Sequence, residues 1–248
     1  MFGRASPGDV GCHDEIMSVQ DDQRENQMVD RFNLEVPEDR KRSDIDAYLT
    51  VDGQTVAFEL KSATSKGVST VRDLGPNHFA KWKNIHWIFG VYNRSGTRLL
   101  HSYYASPDDM APWISSKERY IRPDVELAEH AMRGVSADSV INLFGEKDFY
   151  TKEEAKLIMK NQWSVMQYAE AADLAVDSEL GYSLDRMVEI MRSRAYYVMS
   201  RGATLNNPHI PLSYIEKLPK ITTEPAITLR NLVRAYLEST SSTDEVTA

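Results

Sequence analysis

A chain of 248 residues, 42% hydrophobic and 27% charged, has the composition of an ordinary globular protein, long enough to bury one sizeable core or two smaller ones. No apolar run approaches the roughly 20 residues a bilayer span needs, the opening MFGRASPGDVG has no apolar signal-peptide region, and the one cysteine, Cys12, excludes an internal disulfide and fits a reducing cytoplasm. The net charge of −8 argues against a nucleic-acid partner only on average: from Lys61 to His101 seven Lys and Arg residues stand against Asp73 alone, so this stretch carries +6 and the remainder −14.

In chain order, residues 1–12 offer little to bury and are expected to be disordered. His13 to Phe32 reads as a polar helix with Ile16, Val19, Met28, Val29 and Phe32 turned inward. A charged connector follows over 37–43, containing Arg40, Lys41 and Arg42. In DIDAYLTVDGQTVAFELK, Ile45, Ala47, Leu49 and Val51 alternate with polar positions, and so do Val56, Phe58 and Leu60 beyond Asp52-Gly53. Period-2 alternation on both sides of Asp-Gly predicts a β-hairpin with a two-residue turn. The segment 62–75, rich in Ser, Thr and Gly, reads as a loop, and Pro76 opens a short helix to about Asn84. HWIFGVY (86–92) and RLLHSYYA (98–105) read as strands.

The C-terminal half reads as helical. Thr151 and Glu154 form a capping box for a helix to about Val176, Ser183 starts a second helix ended by Gly202, and a third runs from about Glu224 to Glu238. This order of elements predicts an α/β fold, a mixed central β-sheet flanked by helices with a helical C-terminal part. The expected organisation is a core over 13–150, a helical part over 151–240 and a disordered tail over 241–248.

The hairpin pattern has a chemical consequence. With the turn at 52–53, Asp46 falls opposite Glu59 and Asp44 opposite Lys61, all on one face, with the aliphatic residues on the other. Facing carboxylates repel unless a cation lies between them. Hard oxygen ligands suit Mg²⁺, which polarises a phosphodiester and acidifies a bound water. A lysine beside that cation can orient or deprotonate the water, or stabilise transition-state charge. The bland alternative is a surface hairpin with a cross-strand Asp44–Lys61 ion pair.

Asp46 followed after thirteen residues by Glu59-Leu60-Lys61 at the end of a strand resembles the PD-(D/E)xK nuclease superfamily, which includes most type II restriction endonucleases. The resemblance covers about residues 13–105 and departs from the motif in having Ile45 where a Pro precedes the Asp. It implies a restriction-endonuclease-like core with Asp46, Glu59 and the Leu60 carbonyl as metal ligands, Lys61 as the catalytic lysine and Mg²⁺ as cofactor. Asp44 competes with Asp46 for the first ligand position. Glu25 resembles the helical acidic residue that some members add, and a solvated glutamate is the alternative. Glu154-Ala155-Lys156 also fits E-x-K but follows no acidic strand, so it is set aside.

Lys66, Arg72, Lys81 and Lys83, in the basic stretch, are candidate phosphate contacts. Arg192 and Arg194, with Asn206, Asn207 and His209 in the loop after the second C-terminal helix, are candidates for reading base edges. The six histidines lack zinc spacing; His86 and His101 read as packed strand residues, and the four tryptophans as core or interface. The resulting expectation is a type II restriction endonuclease cutting double-stranded DNA as a homodimer. A repair or phage DNA-processing nuclease of the same superfamily and a non-catalytic DNA-binding module of the same fold are the alternatives.

Overall fold

The computed structural model describes residues 10–38, 44–63, 67–71, 74–176, 179–202 and 208–244. Helix α1 (Val10–Phe32) is followed by the hairpin β1 (Ala47–Val51) and β2 (Gln54–Ala63), a short β3 (Gly67–Ser69), α2 (Pro76–Trp82), β4 (His86–Tyr92) and β5 (Leu99–Ala105). Next come α3 (Pro107–Arg133), α4 (Ala137–Phe144), β6 (Tyr150–Thr151), α5 (Lys152–Met159), α6 (Val165–Ala171), β7 (Leu174–Val176), β8 (Glu179–Tyr182) and α7 (Leu184–Gly202). The chain finishes with β9 (His209–Pro211), α8 (Leu212–Ile215), β10 (Lys220–Ile221) and α9 (Pro225–Asp244).

The described residues divide into two units, and the division differs from the expected one at 150/151. One unit takes the chain up to 71, 76–116 and everything from 208 onward; the other is chiefly 117–207. The boundary expected from sequence followed the change from strands to helices. It missed that the last segment returns to the first sheet, because two-residue β10 carries no readable period.

The first unit holds a five-stranded sheet in the order β1-β2-β4-β5-β10, with β2 and β4 parallel and the other pairs antiparallel. It is a mixed α/β sheet flanked by helices. Asp52 and Gly53 both take positive φ (51° and 83°), the two-residue turn that the right-handed strand twist favours, and Val51 pairs with Gln54 as expected. The parallel β2–β4 pair cannot be closed by a tight turn, and α2 makes the crossover. On one face Phe58, Leu60, Ile88 and Tyr104 pack with Met28 and Phe32 of α1 and Leu229 and Val233 of α9. Gly90 permits that contact, since a β-carbon there would stand 2.7 Å from the Met28 sulfur and 2.9 Å from Leu99. Trp82, Trp87 and Trp113 meet on the other face, with ring centroids 5.2 and 5.8 Å from Trp82.

The second unit packs Tyr150, Ile158, Tyr168, Tyr182, Met187 and Ile190 around the small sheet β6-β8-β7. The Thr151 capping box forms, with Thr151 Oγ1 accepting from the Glu154 amide and Glu154 Oε2 accepting from the Thr151 amide. The helix it opens stops at Met159 rather than running to Val176, because Lys160 and Asn161 adopt left-handed φ (53° and 55°). Two other expectations are corrected here. The loop 62–75 contains the end of β2 and all of β3, which pairs with β9, and helix extends into both ends expected to be disordered, since α1 begins at Val10 and α9 runs to Asp244. No described helix is long and apolar enough to cross a membrane.

His86 is packed, as expected: it is 2% exposed, and its Nδ1 lies 2.7 Å from the Tyr104 hydroxyl. Burial pushes its pKa down to about 4. Since the unfolded imidazole keeps its ordinary value, the unfolded chain binds the extra proton between about pH 6.5 and 4. Stability is therefore complete above that window and falls through it as the pH drops, by about 3 kcal/mol from this residue. Urea denaturation of wild type and His86→Phe across this range should show a shallower loss in the variant; parallel curves would refute the assignment.

Candidate functional site

The site forms where β2 outruns β1. Pairing holds from Val51↔Gln54 to Ala47↔Phe58 and stops there. The Asp46 amide donates to the Phe58 carbonyl (3.2 Å), the residue already paired with Ala47, so Asp46 does not extend the ladder opposite Glu59 as expected. Its carboxylate turns instead to the backbone of β2, where Oδ2 accepts from the Leu60 amide at 2.7 Å. A strand edge left without a partner carbonyl gains a charge-assisted one.

Glu59 and Lys61 lie two residues apart and share a face of β2. Lys61 Nζ is 2.7 Å from Glu59 Oε1 and 3.8 Å from Asp46 Oδ2, so both carboxylates converge on one ammonium. Both acids are buried, Asp46 5% and Glu59 3% exposed. The face is not the polar one expected, because Trp87 and Phe89, beside Glu59 and Lys61 on β4, are themselves fully buried. Burial alone would raise Glu59, but the Lys61 and Lys81 charges outweigh it and hold its pKa below the ordinary value. Burial alone would lower Lys61, and Glu59 and Asp46 overcome it, holding Lys61 protonated well through neutral pH.

Lys81 arrives from α2. Its Nζ donates to the Asp44 carbonyl (2.8 Å) and stands 3.0 Å from Glu59 Oε2. The second contact is an ion pair, and Lys81 is the charge that the buried Oε2 faces. Lys81, expected to contact phosphate beside the site, thus belongs to the carboxylate cluster itself. Its distance in sequence hid this, since only the crossover brings α2 over β2. Asp44 is exposed, and its carbonyl is what meets Lys81. The expected Asp44–Lys61 pairing is not formed, because the ladder ends at Ala47. Glu25, half-buried on α1, is close enough for its charge to act on both Lys61 and Tyr92.

Lys83 is exposed in the turn after α2, and Lys66, Arg72, Asn206 and Asn207 lie outside the described residues. In the second unit Arg192 Nε donates to the Val135 carbonyl (3.0 Å), and Arg194 donates to Gln162 (2.6 Å) and lies over the Tyr197 ring. His209 belongs to the first unit, exposed on β9, where it pairs with Ser69.

The donor set fits a hard divalent cation. Two buried carboxylates converge on one point, and Glu59 Oε2 faces the Lys81 ammonium, 3.0 Å away. Among the described residues no three His, Cys, Asp or Glu side chains gather to hold a metal. Two carboxylates nevertheless suit Mg²⁺, which keeps several waters and takes one or two such ligands. Asp46, Glu59 and the Leu60 carbonyl are the groups that would hold it.

No model of a known protein family matches this chain, and no curated protein matches it.

Proposed function

We propose that the chain is a magnesium-dependent DNA endonuclease of the PD-(D/E)xK type. The finer reading is a type II restriction endonuclease acting on double-stranded DNA as a homodimer. The convergence of Asp46 and Glu59 on Lys61 at the overhanging end of β2 supports this reading most directly. It sits in a mixed sheet whose order of hairpin, crossover helix and parallel strand accords with the resemblance. A bound divalent cation would supply the charge that polarises the phosphodiester and acidifies a water. The protein's own part is to hold the two carboxylates rigidly through the Leu60 amide and Lys81, and to place the Lys61 ammonium where negative charge builds on the reacting phosphate. The Lys61 ammonium, 2.7 Å from Glu59 and 3.8 Å from Asp46, stands where it can stabilise negative charge on the reacting phosphate.

Incubation of supercoiled plasmid with Mg²⁺ tests the reading. Discrete fragments are expected; a smear, or cutting confined to linearised plasmid or a branched oligonucleotide incubated in parallel, would favour the repair or phage alternative, and no cutting of any of the three substrates the binding module. Lys61→Ala should lower the cleavage rate by on the order of 100-fold or more while DNA affinity, measured in Ca²⁺, stays near wild type. Cleavage within tenfold of wild type would remove Lys61 from this role.

A further inference from the structure

The catalytic face of the sheet continues past Lys61. Lys61 pairs with Phe89, Phe89 with Tyr103 and Tyr103 with Lys220, and the next row is Ala63, Val91 and His101. Ala63 offers only a methyl group, so this row is left open. The opening is a cavity of about 610 Å³, whose walls include Arg24, Arg94 and Lys220 against one acid, Glu216. Its groups are held in place. Arg24 Nε donates to the Gly96 carbonyl (3.0 Å) with the guanidinium over the Tyr92 ring, and Lys220 Nζ stands 5.9 Å from the Tyr103 ring centre. His101 meets Tyr103 edge to face at 5.4 Å.

We propose that this cavity is a nucleotide pocket that receives one base with its phosphate, turned out of the stack, from the DNA strand lying in the catalytic site. The proposal rests on the nuclease reading above. Size and lining both bear on the ligand. A phosphate alone would leave most of this space empty, whereas pockets of roughly 300–1,000 Å³ enclose drug-sized molecules. Arg24, which also pairs with exposed Asp21, joins Arg94 and Lys220 against one lining acid and so favours an anion, and the half-buried His101 ring is the aromatic group beside which a base can lie. Position gives the source. Ala63 is two residues beyond Lys61 on the same strand, about 7 Å along it, so a strand reacting at Lys61 passes the mouth of the cavity. A base enters a concave site of this kind only by leaving the duplex stack.

The test uses a single-stranded oligothymidylate carrying one 2-aminopurine, titrated by fluorescence in Ca²⁺ so that cutting does not intervene. The double variant Arg94→Ala/Lys220→Ala removes two exposed cations that the core does not need. It should weaken binding at least tenfold with an unchanged circular dichroism spectrum. Thymidine 5′-monophosphate should compete, and inorganic phosphate at the same concentration should not. Unchanged affinity in the double variant would overturn the pocket, and equal competition by phosphate would reduce it to an anion site. Free nucleotide binding as tightly as the oligonucleotide would overturn the strand as its source. Plasmid cleavage in Mg²⁺ alongside unchanged oligonucleotide affinity in the variant refutes the pocket alone. Oligonucleotide binding that is lost in the variant, in a chain that leaves plasmid intact, upholds the pocket and refutes the nuclease reading alone.

Discussion

Asp46→Asn is expected to abolish DNA cleavage, whereas Asp44→Asn should cost no more than about 10–100-fold, the range for a group that supports a ligand rather than being one. The amide is nearly isosteric, and its oxygen can still accept from the Leu60 amide as Asp46 Oδ2 does at 2.7 Å. The thermal midpoint should therefore shift little. What disappears is one of the two buried negative charges around Lys61, and a neutral amide is a poor ligand for a hard cation. Asp44 reaches the cluster through its main-chain carbonyl on Lys81, a contact that substitution of the side chain leaves in place. Single-turnover cleavage by both variants at saturating Mg²⁺ is the measurement. A dead Asp44→Asn beside an active Asp46→Asn would reverse the roles argued from the hydrogen bonds.

Excess EDTA should bring cleavage to background, with Mg²⁺ or Mn²⁺ restoring it and Ca²⁺ restoring binding but little chemistry. Here Glu59 balances its burial against Lys61 and Lys81, 2.7 and 3.0 Å away. Those ammonium groups neutralise the carboxylates; they do not lower the pKa of water, which is what a divalent cation contributes. Calorimetric titration with Mn²⁺ gives a readout apart from activity: heat of binding should be seen in wild type and lost in Asp46→Asn and Glu59→Gln. Cutting that persists in EDTA would sink the proposed chemistry.

The local parts of this architecture are legible in the sequence. Asp52-Gly53 between alternating runs fixed the hairpin and its register, and with it the nearness of Asp46, Glu59 and Lys61. The strand 86–92 and the Thr151 capping box were read with equal ease. Such features are written in neighbouring residues, through a period of two, a turn that needs positive φ, or a side chain that reaches three residues along. At the end of the ladder the structure departs from the alternation by one residue, with the Asp46 amide donating to the Phe58 carbonyl. Whether the partner strand continues past Ala47 depends on what else can satisfy the Leu60 amide, and alternation is silent on that.

Tertiary structure decided the rest. Lys81 enters the cluster because a parallel pair requires a crossover, and the crossover lays α2 over β2. β10, only Lys220–Ile221, adds to the sheet beside β5, and β3 finds β9 across more than half the chain. Strands of two or three residues show no period, so their partners are chosen by packing after distant segments meet. The same holds for the cavity beyond Lys61, whose cations come from α1, from the β4–β5 connection and from β10. A sequence states which faces its residues form; which faces come to share one pocket follows from the burial they achieve together.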